Sequence, residues 1–458
     1  LQKPDLMNLQ DKHITVVGAA RSGLSVAKLL ARHGAKVFVT DRGVVAQNLV
    51  NELEQTGVGF ESGGHSDRAL LADWMVISPG VPTTAPLIQQ ALAKGIVVFS
   101  EVEVASWFCK APIVAITGTN GKTTTTTLAG YIFEKAGHKP FVGGNIGIPF
   151  SDRADQLTNE QTVVLEVSSF QLDHIDRFKP KVSIILNITP DHLDRYQYRF
   201  ENYAASKFRI HQNQQMGDYV IYNADDELLN HHFNQIVQTA PFTSLALSIE
   251  KEVSQGAFLR DHNLMLRLEG REEVLMNADE VSIRGRHNLY NSLAAAVAAR
   301  VMEIRSEVIR ESLSTFEGVP HRLEFVRELA HVRYYNDSKA TNVNAVWYAL
   351  ESFEEPIILL AGGRDKGNDY GPLHHLVREK VRMVIGVGEE SGHKVVSELG
   401  CAAQEARFAE NMEEAVALAH QVAQAGEVVL LSPACASFDL FENYEHRGDV
   451  FKAAVLNL

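Results

Sequence analysis

The chain has 458 residues, 45% hydrophobic and 22% charged, with a formal net charge of −14. That length exceeds what one hydrophobic core serves and predicts roughly two to four domains, and the acidic balance argues against nonspecific binding to nucleic acid or an anionic membrane. Three cysteines, Cys109, Cys401 and Cys435, lie far apart with no C-x-x-C pair, which excludes a disulfide framework or cysteine-rich zinc site and suits a reducing cytoplasm. The longest apolar runs, 182–186 and 356–361, are too short to span a bilayer. The opening LQKPDLMNLQDKH has no apolar stretch of the signal-peptide kind, so none is expected.

Residues 1–102 read as a first domain. A β-branched run at 14–17 ends at Gly18, and GAARSG at 18–23 leads into a helical pattern through Leu24, Ala27 and Leu30. A second strand at 37–40 ends at Asp41. An acidic residue at that strand end, about 20 residues beyond the first glycine, is the ribose-binding position of a dinucleotide fold. Ala20 stands where the second glycine of that pattern belongs, so a nucleotide site and a plain strand–turn–helix are both open. A strand at 74–77 then runs into Ser78-Pro79-Gly80, a strand-end loop of the kind that lines ligand crevices.

Residues 103–318 read as a second domain built on TGTNGKTT at 117–124. An apolar run at 113–116 precedes it and a helical pattern through Leu128, Ile132 and Phe133 follows. A strand, a glycine-bearing turn and a helix N-terminus form an anion cradle, because the first-turn N–H groups have no intrahelical acceptor and the helix dipole favours negative charge. Gly118 and Gly121 let the backbone bend, Lys122 can reach a terminal phosphate, and the Thr123 hydroxyl can ligate Mg²⁺. Ile116 replaces the first glycine of G-x-x-x-x-G-K-S/T; the bland alternative is an ordinary turn with a solvated lysine. Strands at 163–165 and 182–186 end at Glu166 and at NITPDHLD, delivering Glu166 and His192 as candidate Mg²⁺ partners beside the cradle. Residues 241–283 read as a hairpin region, and GRHNLYN at 285–291 opens an apolar helix whose Asn288 and Asn291 either read a base edge or cap the helix.

Residues 319–458 read as a third domain after a hinge at Gly318. Strands at 332–335, 357–360, 384–387 and 428–431 again carry polar ends, among them NDSKATN, GGRDKG and SPACAS. The expected fold is therefore α/β in three domains: Rossmann-like, P-loop ATP-binding, and Rossmann-like again. Cys435 reads as structural, since no base partner accompanies it. Two α/β domains flanking an ATP cradle suggest two further ligands and fit a synthetase better than a hydrolase.

The strings TGTNGKTT, GGNIG, LEVSSFQLD, NITPDHLDRY, AASKFRI, GRHNLYN, VPHRLE, YYNDSKATN, LLAGGRDKG and LLSPACASFDLFENYEHRG resemble the Mur ligase family from Gly18 to Gly448. NDSKATN and SPACASFD point within it to the members that add D-glutamate to UDP-N-acetylmuramoyl-L-alanine. The resemblance implies that ATP phosphorylates the L-alanyl carboxylate, the D-glutamate amine attacks the acyl phosphate, and phosphate leaves. It implies that Gly118, Thr119, Asn120, Gly121, Lys122, Thr123 and Thr124 hold the triphosphate. Thr123, Glu166, His192 and a carbamylated Lys207 would then serve two Mg²⁺ ions. Asn288, Asn291, Arg322 and Asp337 belong with the nucleotide and Lys339 with the reacting phosphate. Arg21, Ser22, Asp41, Arg42, Ser78, Pro79 and Gly80 belong with the UDP moiety, and Asn145, Ser168 and His192 with the muramoyl-alanyl part. Thr341, Lys366 and Ser437 belong with D-glutamate, with Phe438 and Tyr444 beside it. A uridine nucleotide in the first domain accounts for Ala20. Two departures from the family pattern stand out: Tyr444 replaces a phenylalanine, and Arg42-Gly43 replaces a Thr-Arg pair. The implied enzyme is a cytoplasmic monomer. The rivals are a Mur ligase of other amino-acid specificity, a folylpolyglutamate synthetase, a nicotinamide dehydrogenase built on the first domain, and a nucleotide-binding regulatory protein without catalysis, against which the intact Lys122, Glu166, His192 and Lys207 argue.

Overall fold

The computed structural model describes residues 9–45, 47–365, 367–389, 391–437 and 439–458. The chain divides into two compact units, Leu1–Val281 with Tyr290–Thr315, and Ser282–Leu289 with Phe316–Leu458.

The first unit carries two sheets. In the first, strands Gly59–Ser62, Lys36–Asp41, His13–Val17, Trp74–Ile77 and Val97–Ser100 lie side by side in that order, all parallel. Val16 pairs with Val39 on one side and Val76 on the other, and all three are wholly buried. Near-continuous apolar strands of this kind are what a sheet covered on both faces requires. The strand order reverses beside His13–Val17 and Trp74–Ile77, and the crevice of such a sheet lies at the carboxyl ends there. Those ends lead into Gly18 and Ser78.

The second sheet has nine strands, in the order Arg271–Asn277, Asn263–Leu268, Gly256–Arg260, Thr243–Ser248, Tyr219–Asn223, Val182–Ile185, Ile113–Thr117, Val163–Glu166 and Phe141–Gly144. It is parallel from Phe141–Gly144 through Gly256–Arg260, and its last three strands form an antiparallel meander. The stretch expected to be a hairpin region therefore supplies four strands that continue the sheet. The cradle strand Ile113–Thr117 is buried throughout and lies between the strands ending at Glu166 and Ile185; Ile116 pairs with Glu166 on one side and Ile184 on the other. That register brings three polar strand ends to one place.

The second unit carries strands Glu324–Leu329, Val332–Asn336, Val428–Leu431, Ile357–Ala361, Val381–Val387 and Glu405–Ala409, in that order. Only the first pair is antiparallel. Its strand-end loops are tied together by Arg447 from the helix Tyr444–Leu456. The side chain is 1% exposed. Its guanidinium donates to the Ser338 hydroxyl (3.0 Å), the Ser338 carbonyl (2.8 Å), the Cys435 carbonyl (3.1 Å) and the Gly362 carbonyl (3.4 Å). One rigid fork thus satisfies acceptors from three loops. Arg447→Met leaves those acceptors buried and unpaired; it is expected to lower stability by roughly 2–4 kcal/mol in urea unfolding, with Arg447→Lys intermediate.

Candidate active site

Gly121 is the residue at which the chain enters the helix Lys122–Lys135, with φ +84°. The left-handed backbone favours glycine there, and a Cβ would sit 2.4 Å from Asn291 Oδ1 and displace that side chain. No side chain caps this helix, leaving its N-terminus to another hydrogen-bond acceptor. The turn before it is held by its neighbour: the Thr119 N–H donates to the Asn187 carbonyl and the Asn120 N–H to Asn187 Oδ1, at 2.9 and 2.8 Å. Asn187 stands just past the adjacent strand and was not singled out by sequence pattern.

Around this turn the charged groups converge. The Thr123 hydroxyl donates to Glu166 Oε2 (2.7 Å) and the Asn145 amide to Glu166 Oε1 (2.9 Å), fixing a carboxylate that is 3% exposed. The Lys122 ammonium curls back onto the carbonyls of Gly118 (2.9 Å) and Thr119 (2.8 Å). Lys207, 2% exposed, donates to the same Gly118 carbonyl at 2.8 Å and lies 4.7 Å above the Tyr203 ring. Burial holds the Lys207 ammonium well below its ordinary basicity; Lys122 lowers it further, against the pull of Asp191, Glu166 and Asp173. The Tyr203 hydroxyl meets the Thr119 hydroxyl at 3.1 Å, and burial pushes its phenol up.

The Thr117 and Thr124 hydroxyls and the Asn120 amide nitrogen are buried with no hydrogen-bond partner among the described residues. Buried polar groups are normally satisfied, so these orphans at an uncapped helix start fit a phosphate chain. Thr123 and Glu166 offer the oxygen donors a hard divalent cation takes. Among the described residues no three histidine, cysteine or acidic side chains converge as a metal cage, and a cation held mainly by phosphate and water needs none. His192 adopts a left-handed backbone (φ +50°), is half exposed, lies 3.8 Å from Asp191 and stands edge-on to Phe170 with ring centroids 5.1 Å apart. Asn291 Oδ1 accepts from the Thr125 hydroxyl at 3.1 Å, whereas the Asn288 amide caps the Arg284 carbonyl at 2.8 Å. The Ser168 N–H and hydroxyl both donate to Gln171 Oε1, closing the next short helix.

In the first sheet a cavity of about 750 Å³ is lined by Gly18, Asp41, Arg42, His65, Gly80 and Pro82 among others. Asp41 accepts from the Ala19 N–H (2.6 Å) and the Gly43 N–H (2.7 Å), so the acidic strand end also braces the glycine turn. Ser78 is buried and its hydroxyl donates to the Gly18 carbonyl at 3.1 Å. Arg21 and Ser22 open the helix Arg21–Arg32, which likewise has no side-chain cap.

In the second unit Asp337 is buried, accepting from the Ser432 hydroxyl (2.8 Å) and the Leu323 N–H (3.2 Å). The Arg322 Nε is buried without a partner among the described residues. Burial raises the Asp337 carboxyl to about 6, against the pull of Arg322. Lys339 lies 5.1 Å over the Tyr444 ring. Thr341 donates its N–H to the Lys339 carbonyl, and Ser437 is buried. Lys366 and Phe438 lie outside the described residues. The Cys435 thiol is buried beside the Tyr370 hydroxyl at 3.2 Å, and burial pushes it up, as expected of a structural cysteine.

Comparison with known proteins bears on the whole chain. Three family models match in succession: the Mur ligase MurD-like N-terminal domain over residues 12–100, the Mur ligase middle domain over 116–299, and the Mur ligase glutamate ligase domain over 321–435. The chain is 55% identical to the UDP-N-acetylmuramoylalanine--D-glutamate ligase of Salinibacter ruber over 449 residues, 97% of each chain. It belongs to the Mur ligase family. Another Mur ligase of the same description, from Chloroherpeton thalassium, is 48% identical over 98% of this chain and 99% of its own. The Mur ligase fold is shared with the MurF ligase from Thermotoga maritima, solved in complex with ADP (TM-score 0.58, 15% identity, covering 99% and 100% of the two chains).

The Asp337 carboxyl yields a signed prediction. A folded-state value near 6 against an ordinary 3.8 means that ionisation costs stability as pH rises between these values. Asp337→Asn removes that cost. Its unfolding free energy relative to the parent should climb from pH 4 to pH 6.5 and then level, with a span on the order of 2 kcal/mol; a flat difference across this range would refute the raised value.

Proposed function

We propose that this chain is an ATP-dependent ligase that joins D-glutamate to UDP-N-acetylmuramoyl-L-alanine through an acyl phosphate, as a cytoplasmic monomer in peptidoglycan precursor synthesis. The observation that carries the reading is the Thr123–Glu166–Asn145 chain at an uncapped helix start, with Lys207 buried on the same turn. The full-length likeness to D-glutamate ligases supports the amino acid added. No helix among the described residues is long and apolar enough to cross a membrane.

A carboxylate is a poor acyl donor because oxide would have to leave; a phosphate is a good leaving group. Lys122 swings from its two carbonyls to the terminal phosphate, and the first-turn N–H groups hold the chain behind it. Mg²⁺, when bound near Thr123 and Glu166, offsets the charge of the phosphates and of the approaching carboxylate. Asn145 keeps Glu166 aimed by binding its other oxygen. Lys207 is taken to carry a carbamate: an unprotonated amine adds carbon dioxide and releases a proton, turning a cation that repels Lys122 into an anion that attracts it. His192 completes the metal and substrate surroundings. The boundaries 1–102, 103–318 and 319–458 divide the work into binding the UDP moiety, binding ATP, and binding D-glutamate. In this reading Arg21, Ser22, Asp41, Arg42, Ser78, Pro79 and Gly80 serve the UDP moiety and Ser168 the muramoyl-alanyl part. Asn288, Asn291, Arg322 and Asp337 serve the nucleotide, Lys339 the reacting phosphate, and Thr341, Lys366, Ser437, Phe438 and Tyr444 the amino acid.

Phosphate release should require UDP-N-acetylmuramoyl-L-alanine and D-glutamate together; release with L-lysine or diaminopimelate in place of D-glutamate would overturn the assigned specificity. Lys207→Ala should lose roughly a hundredfold or more of turnover and regain part of it with a short carboxylic acid. The parent protein in ¹³C-bicarbonate should show a carbamate carbonyl resonance that this variant lacks, and full activity of the variant would refute the carbamate.

A further inference from the structure

The loop bearing His192 and the loop at 78–82 come from different sheets of the first unit, and one side chain joins them. Arg195 donates from one guanidinium nitrogen to the Pro79 carbonyl (2.9 Å) and from another to the Gly80 carbonyl (2.6 Å). Its guanidinium carbon lies 4.1 Å above the Phe170 ring. Phe170 belongs to the short helix Ser169–Leu172 that follows Glu166, and its ring also meets His192 edge-on. Arg195 sits in the 3₁₀ turn Leu193–Tyr196, and its N–H donates to the His192 carbonyl at 3.0 Å. That turn is bracketed by left-handed backbone at His192, Gln197 and Tyr198. Non-glycine residues adopt that conformation only where surrounding contacts impose it. Gly80, whose carbonyl Arg195 holds, also lines the large cavity of the first sheet.

We propose that Arg195 is a positioning residue that couples the UDP-substrate cavity to the phosphate site, so that filling the first orders the His192 loop of the second. The proposal rests on the functional reading above. Gly80, Val81 and Pro82 line the cavity, and Pro79 and Gly80 carry the two carbonyls that Arg195 holds. Any ligand that fixes Gly80 also fixes both acceptors of Arg195. A planar fork with two parallel donors and a stacked ring transmits orientation, which a single charge does not.

Arg195→Lys keeps the charge and loses the fork and the stack. Calorimetry on the full chain would measure binding of UDP-N-acetylmuramoyl-L-alanine with and without Mg²⁺ and a non-hydrolysable ATP analogue. The parent should bind the UDP substrate on the order of tenfold more tightly when the analogue is present. In Arg195→Lys and Arg195→Ala that ratio should fall to one. The KM for the UDP substrate should rise roughly tenfold and, because the coupling is reciprocal, ATP should bind roughly tenfold more weakly in the presence of the UDP substrate, while the KM for D-glutamate holds. A variant that keeps the ratio and the KM overturns the proposal, even if it melts at a lower temperature, because Arg195 would then be a staple of the fold. If Arg195→Ala fails to fold, Phe170→Leu decides: removing the stacked ring alone should reduce the ratio, and an unchanged ratio overturns the coupling. Failure of the parent to bind the UDP substrate at all would instead bring down the functional reading, and this proposal with it.

Discussion

Two lysine ammonium groups share the carbonyl oxygen of Gly118. That arrangement asks for negative charge: the cations repel each other, one of them is buried, and the strand-end carboxylate Glu166 is already engaged by Thr123 and Asn145. The helix that follows adds its own positive end without a capping side chain. Each neighbouring strand end then has a definite part. One supplies Asn187 to hold the turn, and the other supplies Glu166 to balance it. The parallel register of the nine-stranded sheet brings these groups level with one another, so the chemistry depends on strand pairing as much as on the residues themselves.

The two units treat buried cations differently. Burial lowers the Arg447 guanidinium only to about 10, so it stays charged at neutral pH, and the fold meets it with three carbonyl oxygens and one hydroxyl. Lys207 receives one carbonyl and the face of a tyrosine. A lysine so poorly supplied gives up its charge readily, which is a property a reactive amine needs and a structural cation does not. Similar burial therefore belongs to a staple in one case and, in the function proposed above, to a reactive amine in the other.

Much of this was legible in the residues. The cradle, the strand-end Glu166 and the loops after 17, 77, 336, 361 and 431 follow from apolar runs that stop at polar or glycine-bearing turns, and such signals are local. What escaped was long-range. Arg447, Arg195 and Asn187 each act on backbone carbonyls or amides far along the chain, and no spacing announces a side chain whose partners are main-chain atoms. Asp41 was recognised from its place at a strand end, yet its grip on the Ala19 and Gly43 amides is a fact of folding that a ribose-binding pattern does not contain. The stretch 241–283 looked irregular because its strands lie at the margin of the sheet, where one face is solvated and the pairing turns antiparallel.

That margin has a consequence for the behaviour of the protein in bulk. A nine-stranded sheet ends in two rows of backbone donors and acceptors, which invite a second copy to add itself strand by strand. One end is the short strand Phe141–Gly144. The other, Arg271–Asn277, opens with Arg271, Glu272 and Glu273, and the Arg310 guanidinium donates to its Leu275 carbonyl. Brevity at one border and charge at the other oppose edge-to-edge growth of the same extended sheet that aligns the polar strand ends.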